Sequence, residues 1–162
     1  MIEITQPTLF MMVGLPGSGK STRISEWREL FDFALLSTDD FIETVAKEKG
    51  LTYDDVFSRE IKRASHALHR DLKDALSEDR NIVWDQTNVA PKGRKKKLKG
   101  IPDRYYKVAV VFDVDDAELE RRLAKRSEET GKTIPPHVLR SMSESFLYPT
   151  KEEGFDKVTK GN

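Results

Sequence analysis

Met11 to Thr22 reads MMVGLPGSGKST, an apolar run suited to a buried strand followed at once by glycines, a lysine and hydroxyls. Within it, Gly14-Leu15-Pro16-Gly17-Ser18-Gly19-Lys20-Ser21 matches G-x-x-x-x-G-K-[ST] at every fixed position. Glycines at these places let successive backbone N–H groups converge on one anion, the lysine reaches the outer phosphates, and the following hydroxyl suits Mg²⁺. The candidate nucleotide-binding set is therefore Gly14, Leu15, Pro16, Gly17, Ser18, Gly19, Lys20, Ser21 and Thr22. A strand before the loop and a helix after it are required by that reading, which commits the chain to an α/β fold.

The rest of the chain keeps the same alternation. TLFMMV (8–13), FALLS (33–37), NIVWD (81–85) and YKVAVVFDV (106–114) are short apolar runs of the kind found in strands buried on both faces. Helical patterns are predicted over 21–30, 40–49, 53–78, 91–99, 116–127 and 136–146. Gly50 and Gly100 stand as stops, and Pro91 opens a first turn. Strands alternating with helices imply a mainly parallel sheet flanked by helices, with ligands at the carboxyl ends of the strands. A length of 162 residues fits one domain, read as 1–162. Gly131, Lys132 and two prolines mark a flap, so a helical lid is expected over about 121–137.

Composition narrows the classes. The chain has no cysteine, which removes disulfide and thiolate–metal frameworks. Its longest apolar stretch, Leu9 to Val13, is far below the ~20 residues of a membrane span. A soluble, cytoplasmic protein is expected. Net charge is zero, but residues 80–107 carry nine basic and two acidic side chains, a +7 island including Lys92, Arg94, Lys95, Lys96, Lys97 and Lys99. Such an island suits a polyanion, or is a solvated helix face.

Acids at the other strand ends suggest where a phosphate goes. In LSTDDFIE, Asp39 and Asp40 stand where a substrate hydroxyl can approach the γ-phosphate, and Asp39, nearer the strand end, is the better base. The competing role is a helix N-cap at Thr38 or Asp39. In VWDQTN, Asp85 is placed to act near Mg²⁺ or merely to open a turn, and Thr87 and Asn88 are candidate acceptor contacts. Arg122 and Arg126 are four apart, hence on one helix face. They suit a γ-phosphate, or pair with Glu118 and Glu129 in solvent.

Taken together, GLPGSGKST, STDDF, DQTN, VFDV with ELERRLAKR, IPPHVLRSM and PTKEEGF resemble the P-loop kinases that phosphorylate the 5′-hydroxyl ends of DNA and RNA. The resemblance implies that Lys20 and Ser21 bind ATP and Mg²⁺. It also implies that Asp39 is the general base, that Arg126 contacts the transferring phosphate, and that Arg122 assists from the flap. Ile42 stands where some members carry an arginine, and Gln86 where some carry an acid. Three functions are compatible with these residues: a 5′-hydroxyl polynucleotide kinase, a kinase of a small alcohol, nucleoside or nucleotide sugar, and a nucleotide-dependent binding module.

Overall fold

The computed structural model describes residues 4–162. It is a single five-stranded sheet, every pairing parallel, flanked by helices. The strands are β1 (Thr8–Val13), β2 (Ala34–Leu36), β3 (Ile82–Asp85), β4 (Tyr106–Val111) and β5 (Lys157–Lys160), in spatial order β2-β3-β1-β4-β5. The helices are α1 (Lys20–Arg28), α2 (Thr38–Lys49), α3 (Tyr53–Ser77), α4 (Pro91–Lys99), α5 (Asp116–Thr130) and α6 (Pro136–Ser145), with a 3₁₀ turn at Lys151–Glu153.

β1 lies at the centre, which explains its unbroken apolar character. Alternate side chains serve opposite layers, as the two-residue period of a strand requires. Leu9, Met11 and Val13 pack with Leu68, Ala75 and Leu98 of α3 and α4. Met12 and Phe10 face Ile24, Trp27, Phe31 and Phe33, where α1 and the segment after it cover the second face. Phe10, Trp27, Phe31 and Phe33 form a chain of tilted ring contacts at 5.0–5.6 Å, a geometry that aromatic quadrupoles favour. A third cluster, Ile42, Ala46, Val56 and Ala64, fastens α2 to α3. Ile42 is fully buried there and does not line the cleft.

Boundaries differ from the sequence expectations in ways with physical causes. Ser37, predicted as strand, is the N-cap of α2, its Oγ accepting from the Asp40 amide at 3.1 Å. β4 ends at Val111, where the chain turns towards Asp115, the N-cap of α5. β5 was not expected: KVTK is a short edge strand with both lysines exposed and carries little apolar pattern. No helix among the described residues is long and apolar enough to cross a membrane.

The basic island divides by face. Arg94 is completely buried, its Nε and Nη2 donating to the Glu153 carboxylate at 2.8 Å and its Nη1 to the Asn88 and Val89 carbonyls at 2.9 and 2.8 Å. Lys97 lies 5.0 Å from the Trp84 ring centroid and donates to Gln86 Oε1 and Asn88 Oδ1. Burial pushes its ammonium down to about 8. Both were counted among candidate phosphate contacts, and both instead hold α4 against the sheet. Lys92, Lys95, Lys96 and Lys99 remain exposed on the opposite side.

Candidate active site

The carboxyl ends of β1, β2 and β3 open into a cleft of about 750 Å³, bounded by the glycine loop, the start of α2, α5 and Lys132. At its floor, the Gly14 amide donates to the Thr87 carbonyl at 2.9 Å, tying the loop after β1 to the loop after β3. Gly17 and Gly19 take φ of 81° and 109°, conformations closed to most side chains. Gly19 caps α1 without a side-chain bond, so the first-turn amides of that helix are offered to the cleft side of the loop. Lys20 opens α1, and its Nζ donates to the Gly14 carbonyl at 2.6 Å. Burial pushes that ammonium down to about 8 against the opposing pull of Asp85 and Asp39.

Three buried polar atoms among the described residues have no partner: Ser18 Oγ, Arg126 Nε and Arg126 Nη2. A buried unmet donor costs about 1–3 kcal/mol, more when charged. An anion held between the loop and α5 removes that cost, so the donor set fits phosphate. Arg122, one turn earlier on α5, donates through Nη1 to the Gly17 carbonyl at 3.2 Å and through Nε to Glu118 at 2.8 Å. The expected solvent pairing with Glu118 therefore exists, yet it aims Arg122 at the loop. Pro16, Gly17, Ser18, Gly19, Ser21 and Thr22 line the same cleft. Leu15 does not: its carbonyl closes the Ser18 turn, and it lines a second, smaller cavity with Phe112, Leu119 and Phe146.

On the acid side, the cap at Ser37 decides the chemistry. Because Ser37 rather than Thr38 or Asp39 satisfies the helix start, Asp39 sits within the first turn with its carboxylate free to face the cleft. Tyr53 Oη donates to Asp39 Oδ1 at 2.6 Å, and Lys132 Nζ donates to Oδ2 at 3.0 Å. Burial opposes the Asp39 charge, but the Lys132 ammonium and the two hydrogen bonds outweigh it and hold the carboxyl below its usual range. Asp40 lines the cleft one residue on and is exposed.

Asp85 ends β3, its Oδ2 accepting from Ser37 Oγ at 3.3 Å. Burial raises its carboxyl, with Lys20 pulling the other way. Among the described residues no three His, Cys, Asp or Glu side chains cluster into a cation cage. Mg²⁺ is usually held by one or two protein oxygens together with substrate phosphates and water, and Ser21 and Asp85 offer oxygens on the cleft wall. These two are the residues that fit.

Thr87 lines the cleft as expected, whereas Asn88 does not. Asn88 is buried at φ 49°, with Nδ2 donating to the Met12 carbonyl at 2.8 Å and Oδ1 accepting from Lys97. It braces the loop instead of meeting an acceptor. Sequence reasoning missed Tyr53, Glu43 and the burial of Lys132. Tyr53 is the first residue of α3, behind the capping box of Thr52 and Asp55, so its local pattern signals only a helix start.

A family model described as AAA domain matches residues 9–149. The chain is 30% identical over 98% of its length to heterogeneous nuclear ribonucleoprotein U-like protein 2 of Mus musculus, and spans 22% of that protein. A candidate kinase from Chloroflexus aurantiacus shares the fold with a TM-score of 0.72 at 16% identity, over 97% of this chain and 86% of that one. A chain of the Pnkp1/Rnl/Hen1 RNA repair complex superposes with a TM-score of 0.70 at 25% identity, over 95% of this chain and 48% of that one. The glycine loop, Asp39, Asp85, Arg122 and Arg126 lie inside the matched span, and the chain belongs to the AAA domain family, with a P-loop kinase-like fold.

Proposed function

We propose that the protein is an ATP-dependent phosphotransferase that places the γ-phosphate on the 5′-hydroxyl of a DNA or RNA end. The observation that carries this reading is the meeting of Asp39, Lys20 and Arg126 in one cleft, a carboxylate opposite a phosphate cradle. In the transfer, the acceptor oxygen bonds to the γ-phosphorus as the bond to the β,γ-bridging oxygen breaks. Asp39 takes the hydroxyl proton, and ADP leaves with the electron pair. Lys20, Arg122 and Arg126 stabilise charge on the phosphoryl oxygens. Ser21 and Asp85 would hold Mg²⁺, which would neutralise charge on the nucleotide phosphates. The segment around 121–137 serves as the lid.

A nucleic-acid acceptor is supported by the likeness to a chain of an RNA repair complex and by α4. Lys92, Lys95, Lys96 and Lys99 are exposed at i, i+3, i+4 and i+7, one face of a helix that contains no acid. Like charges at these spacings repel, and a polyanion relieves that repulsion.

Incubation with γ-labelled ATP and Mg²⁺, offering 5′-hydroxyl oligonucleotides beside a panel of small alcohols, nucleosides and nucleotide sugars, tests the reading. Label at the oligonucleotide 5′ end is expected. Label only on a small acceptor, or only in inorganic phosphate, overturns it. Arg126→Ala is expected to lower kcat about 10- to 100-fold, the worth of one charge-assisted hydrogen bond, with a smaller effect on ATP affinity. Steady-state kinetics that show weakened ATP binding at normal kcat would make Arg126 a ground-state anchor.

Changing Lys92, Lys95, Lys96 and Lys99 together to glutamine is expected to raise KM for long oligonucleotides and spare a dinucleotide acceptor. The slope of log K against log salt should flatten by about 0.7 for each lost contact. Lys97 is left in place because it holds the loop after β3. Identical salt slopes in the variant and the parent would return the stripe to the role of a solvated face.

A further inference from the structure

Lys132 has an unusual setting for a lysine in a loop. Gly131 ends α5 at φ 70° and reverses the chain, which turns Lys132 inwards until only 7% of its side chain is exposed. Its Nζ bridges Asp39 Oδ2 at 3.0 Å and Glu43 Oε1 at 3.2 Å, and lies 4.3 Å from the Tyr53 ring centroid. Tyr53, from α3, donates to the other oxygen of the same Asp39. Two donors from different elements thus converge on one carboxylate, while Glu43 accepts only from Lys132 among the described residues.

A simple fastening of the lid does not require this. The segment already has its own attachments: the Thr133 amide donates to Asp54 Oδ2 at 3.0 Å, the Thr133 hydroxyl bonds the same oxygen, and Gly131 packs on Thr52. Each carboxylate oxygen keeps a further lone pair after accepting one bond. Asp39 can therefore be held by Tyr53 and Lys132 and still receive a proton from a substrate hydroxyl.

We propose that Lys132 and Tyr53 are positioning residues for Asp39, holding its carboxylate ionised and aimed for the acceptor hydroxyl. This rests on the reading of Asp39 as the base. Lys132 comes from the segment that follows α5, and its positive charge favours the ionised carboxylate that a base must be. The other charged groups around Asp39 are Lys20 of α1, Asp40 and Glu43 of α2, Asp54 of α3, Asp85 of β3 and Arg126 of α5. Of the cations among them, Lys132 is the one that bonds the Asp39 carboxylate directly.

The test follows the Asp39 carboxyl by carbon-13 NMR titration, its signal assigned by loss in Asp39→Asn, alongside labelled-phosphate transfer to a 5′-hydroxyl oligonucleotide. Lys132→Met should raise the Asp39 midpoint by about one pH unit or more and move the acid limb of kcat upwards with it. Lys132→Arg should restore both in large part, and Tyr53→Phe should shift both in the same direction by less. Nucleotide affinity should change less than kcat does, since both residues bond Asp39 and neither bonds the glycine loop. An unmoved midpoint in both Lys132→Met and Tyr53→Phe overturns the proposal, as does a higher kcat in Lys132→Met, which would make the lysine a block. Near-parental transfer by Asp39→Asn would sink the base assignment itself and this proposal with it. An inert Asp39→Asn beside an unmoved midpoint would sink only the positioning role.

Discussion

Asp39→Asn is expected to lower kcat by about 10²–10⁴ while leaving KM for ATP within about threefold. The substitution keeps the side-chain shape but only one acceptor oxygen for the Tyr53 and Lys132 donors that now sit at 2.6 and 3.0 Å, and it removes the carboxylate proposed to take the hydroxyl proton. Single-turnover transfer from labelled ATP, with nucleotide binding measured separately, separates the two effects. Asp40→Asn is the control, because Asp40 is exposed on the same turn and makes no side-chain contact with Tyr53 or Lys132. Full loss in Asp40→Asn with near-normal turnover in Asp39→Asn would move the base by one residue.

The second large effect is on stability. Arg94 and Glu153 are 0% and 5% exposed and meet through two 2.8 Å hydrogen bonds. Glu153→Ala strands the guanidinium in the interior, and breaking a buried pair from one side costs about 3–5 kcal/mol. That is a large part of the roughly 5–15 kcal/mol that holds a domain together. Urea unfolding should show the loss as a lower midpoint. Arg94→Met combined with Glu153→Leu should recover part of it, because removing both charges removes the desolvation problem while the Asn88 and Val89 carbonyls lose their donor. A single variant within about 1 kcal/mol of the parent would mean that water reaches the pair.

What was readable in the sequence follows the range of the forces involved. Four strands and all six helices were anticipated because burial of their faces is written into local periodicity. β5 was not, since an edge strand of four residues buries too little to need an apolar pattern. The glycine loop was legible for a similar reason: backbone conformation and anion binding there depend on residues within one turn. Arg94 and Lys97 were misjudged because a run of cations looks uniform until tertiary packing decides which face is inside. Arg94 shares that inner face with Leu98, and Glu153, which completes the pair, lies 59 residues away. Asn88 was misjudged for the same reason, since the Met12 carbonyl that it braces belongs to another strand. Lys132 follows suit, its two acids lying 93 and 89 residues earlier.

The position of β1 has a consequence for biogenesis. The central strand, β1, comes before both of its neighbours, β3 and β4, in the chain. Thr8–Val13 leaves the ribosome long before Ile82–Asp85 and Tyr106–Val111. At ~5–20 residues per second, the wait for both partners is on the order of 5–20 s. During it, four side chains that end up with no solvent exposure (Leu9, Met11, Met12 and Val13) have no sheet to join. The Gly14–Thr87 bond that shapes the loop must wait as well. While it waits, this apolar strand is exposed to aggregation and suits a chaperone that recognises short hydrophobic segments.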